Sequence, residues 1–358
     1  MSGNSSQSSF EPTEMSDATT AAGTDHPADA LTQEAALTAR LGRVFVPEAT
    51  ERRARLIANR GRLVHYTTAD SALKILRSSE VWMRNVRFMN DFSEVQHGVE
   101  MLRHFFRPGG SENSEFGSKA LMAAVDTVRP GALNAAIERF NQHLSNIETR
   151  TYIACLSEHD DSEDQLGRLS MWRGYGHGAS PVAIVIRPTA FAQYGDALGA
   201  FSSPVAYQTE AQFFGAMKVL PARIEAEAEL LRSVDDNILV HMLFQMLLFY
   251  AISQKHPGFS EEREWRVLHV LGLHPLGVLR KATESIGGTP QPVLKLPLKN
   301  IPEAGFEGIA IPELLDRIIV GPAGFPEAIA EGLVDVLEEL GVPDPASKVC
   351  VSDIPLRV

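Results

Sequence analysis

The stretch TYIACL at residues 151–156 decides the fold, because it is a nearly continuous run of apolar residues. A run of this length without polar alternation is typical of a strand that is buried on both faces. We therefore expect these residues to form a central strand of a sheet. An acidic loop, residues 158–164, follows the run and separates it from the next part of the chain.

Further strands and helices are predicted on both sides of this central strand. Strands are expected over residues 63–67, 81–83, 182–186, 261–271, 293–298, 317–320 and 348–351. Helices are expected over residues 71–77, over 93–149 with breaks near 108–110 and 130–131, over 208–254 and over 327–340. Strands and helices do not alternate regularly, so the pattern predicts an α+β fold, a mixed β-sheet core with inserted helices.

The composition divides the chain into three parts. Residues 1–30 are rich in Ser, Thr and acids with almost no large apolar side chains, which predicts a disordered tail. Residues 31–62 carry helical periodicity and predict an N-terminal helical lead-in. Residues 63–357 are expected to form a single domain.

Charge and cysteine content exclude several classes of protein. The chain has 358 residues, with 33 Lys and Arg against 45 Asp and Glu, a formal net charge of -12, so nonspecific nucleic-acid binding is not expected. Two cysteines are too few for a disulfide framework or a four-thiolate zinc site. The first 30 residues lack a signal-peptide pattern, and the apolar run at 238–252 is too short to cross a bilayer. We expect a cytoplasmic protein that does not enter a membrane.

Standard catalytic and metal motifs are missing from the sequence. It has no P-loop, no G-x-S-x-G nucleophile elbow, and neither an H-E-x-x-H nor a C-x-x-C pair, so no metal is expected. The candidate site residues therefore come from polar and aromatic side chains near predicted strands.

Two short segments offer candidate ligand-binding residues. His65 lies inside an apolar strand with Tyr66 on the opposite face; the alternative is a core histidine with satisfied hydrogen bonds. Trp172, Arg173 and Tyr175 lie among glycines that allow close backbone approach, an arrangement suited to a planar ring or a ribose. The alternative for this second segment is a glycine turn that aromatic side chains anchor to the core.

A third segment offers candidate catalytic carboxylates. If a strand begins at Glu262, then Glu262, Glu264 and Arg266 share one face, and the Arg relieves the repulsion between the two carboxylates. Such a pair suits an ionised carboxylate that accepts hydrogen bonds from ribose hydroxyls. The alternative is a solvated charge ladder on an edge strand. Asp91 and Glu94 fit a capped helix start.

Several of these motifs, taken in order, resemble a bacterial family of unknown function, DUF2971. The resemblance covers about residues 63–357 and differs at Phe92, where the family usually has Pro after Asn-Asp. The segments that carry it are 63–67, 71–77, Asn90-Asp91 with Glu94, 154–158, Trp172 with Tyr175-Gly176, 262–266, 319–321 and 352–355. The family name implies a domain and no activity.

A second, weaker resemblance concerns chemistry. A strand with His, then a helix that ends near a second strand, is similar to the start of the ADP-ribosyltransferase fold. The resemblance implies NAD as co-substrate, with His65 on the adenosine ribose, Trp172 or Tyr175 stacked on nicotinamide, and Glu264 on the nicotinamide ribose. Glu262 then completes a Glu-x-Glu pair nearer the acceptor, and Tyr66 and Arg173 complete the cofactor-binding set.

These patterns predict an NAD-using ADP-ribosyltransferase-like enzyme, with a setting in toxin or phage-defence biology and an unknown acceptor. Two alternatives stay open. One is a non-catalytic module that binds a nucleotide or a partner. The other is a metal-dependent nuclease that uses Asp91, Glu94 and Glu262, although these acids lack a recognised ligand spacing. Neither the acceptor nor the oligomeric state follows from the sequence.

Overall fold

The computed structural model describes residues 27–89, 92–108, 112–175, 180–188, 198–304 and 306–355. Of the predicted tail, residues 1–26 lie outside this part of the chain, and residues 27–30 belong to the first helix. The predicted lead-in forms two helices, and Leu41, Val44 and Phe45 of the first of them are buried in the main core.

Twelve strands are seen in the described residues, ten of them in one sheet. In chain order they are β1 (Arg62–Thr68), β2 (Glu80–Asn85), β3 (Thr151–His159), β4 (Pro181–Ile186), β5 (Phe201–Pro204), β6 (Ala206–Tyr207), β7 (Gln254–Lys255), β8 (Glu264–Val270), β9 (Arg280–Ile286), β10 (Thr289–Pro297), β11 (Leu315–Val320) and β12 (Val349–Val351). The predicted central strand is confirmed, because β3 pairs with β1, β2 and β8.

The described residues also form fourteen α-helices. They are α1 (Pro27–Phe45), α2 (Pro47–Ala58), α3 (Ala69–Ser78), α4 (Phe92–Phe106), α5 (Glu112–Val128), α6 (Ala132–Thr149), α7 (Leu169–Tyr175), α8 (Glu210–Lys218), α9 (Leu220–Ala226), α10 (Ala228–Ser233), α11 (Asp236–Ile252), α12 (Ile311–Leu314), α13 (Pro326–Glu339) and α14 (Pro345–Lys348). Short 3-10 turns include Pro257–Glu262. The α+β prediction is confirmed.

The two faces of the sheet are covered by different helices. The larger apolar cluster packs α4, α5, α6 and α11 against Ile153 and Leu268 on one face. On the other face, α3 and α13 pack against Val182 and Ile184 of β4. The run at 238–252 lies within α11 and contributes buried side chains to the core, as predicted. Among the described residues, no helix combines the length and apolar character needed to cross a bilayer.

The sheet forks where β1 and β2 meet the same edge of β3. Arg62, Leu63 and Val64 pair with β3 residues 157–159, whereas Arg84 and Asn85 pair with β3 residues 152–153. Residues 154–156 lie between these two pairings. The fork places the candidate residue His65 directly after the last β1–β3 pair.

The helix that follows β1, α3, starts at Ala69 and is capped by the Thr68 side chain, which accepts a hydrogen bond from Ser71 N at 3.2 Å. The N-cap of α3 is therefore Thr68.

Candidate functional site

A group of four charged side chains, three of them buried, surrounds the start of β8. We call Lys255, Glu262, Glu264 and Arg266 the β8 charge cluster. Lys255 Nζ donates to Glu262 Oε2 at 2.6 Å and to Glu264 Oε2 at 3.3 Å, and Arg266 Nε donates to Glu264 Oε1 at 2.9 Å. Arg266 is fully buried and Glu264 is only 3% exposed. Lys255 Nζ also lies 5.0 Å from the ring centre of the exposed Phe259.

The carboxylate of Glu264 stays ionised despite its burial. Burial by itself raises the pKa of a carboxyl group, but the charges of Arg266 and Lys255 outweigh that effect and lower the pKa of Glu264 to about 2. The backbone N–H of Glu264 also donates to the Tyr207 hydroxyl at 2.7 Å. Glu264 therefore carries a fixed negative charge at neutral pH, held from several sides.

The two candidate carboxylates do not share a strand. The prediction that a strand begins at Glu262 is wrong, because Glu262 ends the 3-10 turn Pro257–Glu262 and β8 begins at Glu264. The residue between them, Arg263, has a φ of 45°, a left-handed backbone conformation that ends the turn and breaks strand alternation. The pair is joined instead through Lys255, which contacts both carboxylates.

His65 lies at the fork and contacts the backbone of β3. Its Nδ1 is 2.9 Å from the carbonyl oxygen of Cys155. Burial lowers the pKa of His65 below its usual value, and the hydrogen bond to Cys155 opposes this only in part. The ring is therefore neutral at pH 7, with Nδ1–H as the donor to the carbonyl and Nε2 left as a hydrogen-bond acceptor.

The strand register places His65 and Glu264 on different faces of the sheet. Val64 pairs with Ser157, and Ser157 pairs with Glu264, so these three side chains point to one face. His65, the next residue along β1, points to the other face by alternation. His65 and Glu264 therefore do not line one cleft on a single face of the sheet. Both residues nevertheless contact Cys155, His65 through its carbonyl and Glu264 through its thiol.

The aromatic residues of the second candidate segment separate into a core residue and an exposed one. Trp172 is fully buried in α7, and its Nε1 donates to Leu166 O at 2.7 Å. It offers no ring face to a ligand and anchors α7, which agrees with the core alternative. Tyr175 is 42% exposed and stacks on Tyr66 at 6.5 Å between ring centres. Arg173 is also exposed.

Tyr66 lies on the same face of the sheet as Glu264. It follows Val64 by two positions along β1 and packs with Val64 and Trp172 in one apolar cluster. Burial raises the pKa of Tyr66 to about 12, so its hydroxyl stays protonated at neutral pH. The side chains that the structure does bring to one face are therefore Tyr66, Tyr175 and Glu264.

Two functional candidates had no signal in the sequence. Lys255 follows the predicted helix over 208–254, and Arg168 lies in the loop before α7. Each is identified only by contacts with residues that are separate in sequence: Lys255 by the two carboxylates, and Arg168 by its hydrogen bonds to Glu261 and Glu262 carbonyls. A single-sequence motif search has no means of finding such contacts.

Two pockets stand out in the described part of the chain, and neither is lined by a predicted site residue. One, of about 40 Å³, lies between α2 and the end of α11. The other, of about 380 Å³, is formed by polar side chains of α4 with Glu148. The described residues hold no group of three or more His, Cys, Asp or Glu side chains suited to a metal. Asp91 and the side chain of Glu94 lie outside the described residues.

Comparison with known proteins identifies a family over part of the chain. The model of a family described as "Protein of unknown function (DUF2971)" matches residues 171–267. The match runs from α7 into β8 and includes Tyr175, Glu262 and Glu264, so the resemblance noted in the sequence is confirmed over this range. No curated protein and no solved structure matches the chain.

Proposed function

We propose that this chain is an ADP-ribosyltransferase-like enzyme that uses NAD as its co-substrate. The observation that carries the proposal is the arrangement of the His-bearing and Glu-bearing strands around β3. β1 and β8 each pair with β3, and Cys155 of β3 contacts both His65 and Glu264. The resemblance to the transferase fold implies a His on the first strand and a Glu on a late strand, and here a single strand separates them.

The exposed groups near this arrangement suit the parts of NAD. The ring of Tyr175, backed by Tyr66, offers an aromatic face for nicotinamide. Neutral His65 keeps Nε2 as a hydrogen-bond acceptor, but its side chain points to the face opposite Glu264, so Tyr175 and Glu262 make the proposed NAD contacts on the Glu264 side. Arg173, which is exposed beside Tyr175, supplies a positive charge for the pyrophosphate.

The reaction breaks the bond between the ribose C1′ and the nicotinamide nitrogen. The bonding electron pair leaves with nicotinamide, and the ribose acquires positive charge before a nucleophilic oxygen or nitrogen of the acceptor bonds to C1′ and loses its proton. A fixed carboxylate next to C1′ stabilises that positive charge. The Glu262 side chain is 34% exposed and that of Glu264 only 4%, so Glu262 contacts the ligand more readily and Glu264 fixes the electrostatics behind it.

The test is release of nicotinamide by the purified chain. NAD labelled in its adenosine half is incubated with the chain and a cell lysate, and nicotinamide release and label transfer are followed together. We expect Glu262→Gln to lower the release rate by about a hundredfold, the scale for losing one positioned electrostatic group. Glu331→Gln, which removes an exposed carboxylate from α13, serves as the matched control. Wild-type release by a folded Glu262→Gln variant contradicts the proposed role.

A second candidate, a non-catalytic nucleotide-binding module, is favoured by one observation. Both carboxylate oxygens of Glu264 accept hydrogen bonds from buried cations, which suits a structural charge better than a catalytic one. Calorimetric titration with NAD and with ADP-ribose separates the two functions. Binding without nicotinamide release supports the module, release supports the enzyme, and the absence of both contradicts each of them.

A further inference from the structure

Arg168 connects the segments that carry the candidate site residues. It donates six hydrogen bonds, one from its backbone N–H and five from its guanidinium, to four different parts of the chain. Its side chain is only 11% exposed. A buried guanidinium whose three nitrogens all donate hydrogen bonds fixes the relative positions of the groups that accept them.

The backbone of Arg168 is placed by a glycine and a tryptophan. Gly167 has a φ of 66°, and a Cβ there would lie 2.2 Å from the Trp172 ring, so the chain passes tightly over that ring only because residue 167 is glycine. This path brings the N–H of Arg168 to 3.0 Å from the Tyr66 hydroxyl. The buried Trp172 ring therefore determines where the backbone N–H of Arg168 contacts the Tyr66 hydroxyl.

The guanidinium of Arg168 binds the end of the turn that carries Glu262. Its Nη1 donates to the carbonyl oxygens of Glu261 at 3.0 Å and Glu262 at 3.2 Å. These carbonyls immediately precede Arg263, whose left-handed conformation directs the chain into Glu264. Arg168 therefore fixes the turn between the two candidate carboxylates.

The other two guanidinium nitrogens bind the end of β3 and the loop that follows it. Nε and Nη2 donate to the two carboxylate oxygens of Glu163 at 2.9 and 3.1 Å, and Nη2 also donates to the Glu158 carbonyl oxygen at 2.7 Å. Arg263 also contacts the Glu163 carboxylate, so the carboxylate is shared by both arginines. The planar guanidinium of Arg168 donates to Glu163 through two nitrogens and to the turn through the third. A lysine ammonium does not reproduce this geometry.

We propose that Arg168 is a positioning residue that holds Glu262 and Glu264 in register with Tyr66 and Tyr175. This inference rests on the proposed function. Arg168 touches neither NAD nor the acceptor in this scheme, and it acts through the carbonyls of Glu261 and Glu262 and the hydroxyl of Tyr66. Its loss should impair the bond-breaking step while leaving the affinity for NAD nearly unchanged.

The experiment compares Arg168→Lys with Arg317→Lys in the full chain. Arg317 is the matched control, because it binds Asp164 and Asp316 nearby and its hydrogen bonds do not include the turn before β8. We expect Arg168→Lys to lower kcat for nicotinamide release at least tenfold, with a change of less than about threefold in the Kd for NAD. Hydrogen exchange of the amides of residues 259–264 should accelerate in Arg168→Lys and not in Arg317→Lys.

The outcomes separate the two proposals. Active wild type with equal kcat values for Arg168→Lys and Arg317→Lys overturns the role of Arg168 and leaves the proposed function intact. Equal losses of kcat and of NAD affinity also overturn it, because they indicate a general structural defect. Wild type that releases no nicotinamide overturns the proposed function and, with it, this role. Arg168→Ala, with thermal melts, replaces Arg168→Lys if the lysine variant does not fold.

Discussion

The β8 charge cluster and a second charge cluster both combine acidic and basic side chains, but they lie in different surroundings. The second cluster, which we call the loop charge cluster, consists of Arg62, Asp161, Asp164, Asp316 and Arg317. Arg62 contacts all three of its carboxylates within 2.8 Å. Its Asp161 side chain is 95% exposed, whereas Glu264 and Arg266 of the β8 charge cluster are buried.

The difference in burial decides what each cluster does for the molecule. Removing charges from water costs several kcal/mol per ion, and close pairing only balances that cost. The loop charge cluster keeps water at its rim and joins the loop after β3 to β1 and β11. In the β8 charge cluster Glu262 is partly exposed, whereas Lys255, Glu264 and Arg266 are buried, so these three depend on one another for pairing. Strongly shifted pKa values, such as that of Glu264, are found at functional sites and also in structural ion-pair networks.

The largest expected effect is therefore on folding, in Glu264→Gln. This change removes the carboxylate that accepts hydrogen bonds from the buried side chains of Arg266 and Lys255. Breaking a buried ion pair from one side costs about 3–5 kcal/mol, and we expect a loss of this size in the free energy of unfolding. Urea unfolding followed by circular dichroism measures it, with Glu331→Gln as the surface control. A loss of unfolding free energy below about 1 kcal/mol would show that the buried β8 charge cluster depends on pairing no more than an exposed cluster does.

The second expected effect is acid sensitivity that depends on Glu264. Its folded pKa of about 2 lies below its ordinary value of 4.5, so ionised Glu264 favours the folded state. That contribution is fully present above about pH 4.5 and decreases as the pH falls toward 2. The difference in unfolding free energy between wild type and Glu264→Gln should therefore shrink over this range. A difference that stays constant between pH 6 and pH 3 contradicts the assigned pKa.

The sequence predicted the elements whose signal is local. The apolar run at 151–156 identified the central strand, and residues 182–186 gave β4 almost to the residue. The hairpin of β9 and β10 was found only in part, because β9 is largely exposed and carries charged and small residues. β9 is held in the sheet by its pairing with β10, which covers seven residues on each strand. The side-chain pattern of the sequence does not reveal this pairing.

The candidate site was less predictable, because it depends on contacts between distant segments. Glu264 was identified from its position near a late strand, but its pairing with Lys255 follows from the path of the chain after α11. The left-handed conformation of Arg263 has no sequence signal, since glycine is the residue that usually marks it. The burial of Trp172 depends on Gly167 and Gly321, which both approach its ring closely.

A smaller effect is expected for Arg62→Gln in the loop charge cluster. The change removes a partner from Asp164 and Asp316, whose side chains are about one-fifth exposed. Arg317 still contacts both carboxylates, so we expect a destabilisation of about 1–3 kcal/mol, the cost of a poorly satisfied buried acceptor. The same urea titration measures it. A cost as large as that of Glu264→Gln would show that the two clusters are equally dependent on pairing.

The smallest effect is expected for Asp161→Asn, at the exposed end of the loop charge cluster. Asp161 contacts Arg62 at 2.6 Å, yet its side chain is almost fully in water, so solvent and salt screen the attraction and replace the hydrogen bond. The urea midpoint should match that of wild type at both low and high salt. The double variant with Arg62→Gln should be as stable as Arg62→Gln alone. A lower urea midpoint at low salt that returns to the wild-type value at high salt would show that this exposed pair stabilises the fold. In that case, the exposed fraction of a charged side chain would not predict its contribution to stability in the two clusters.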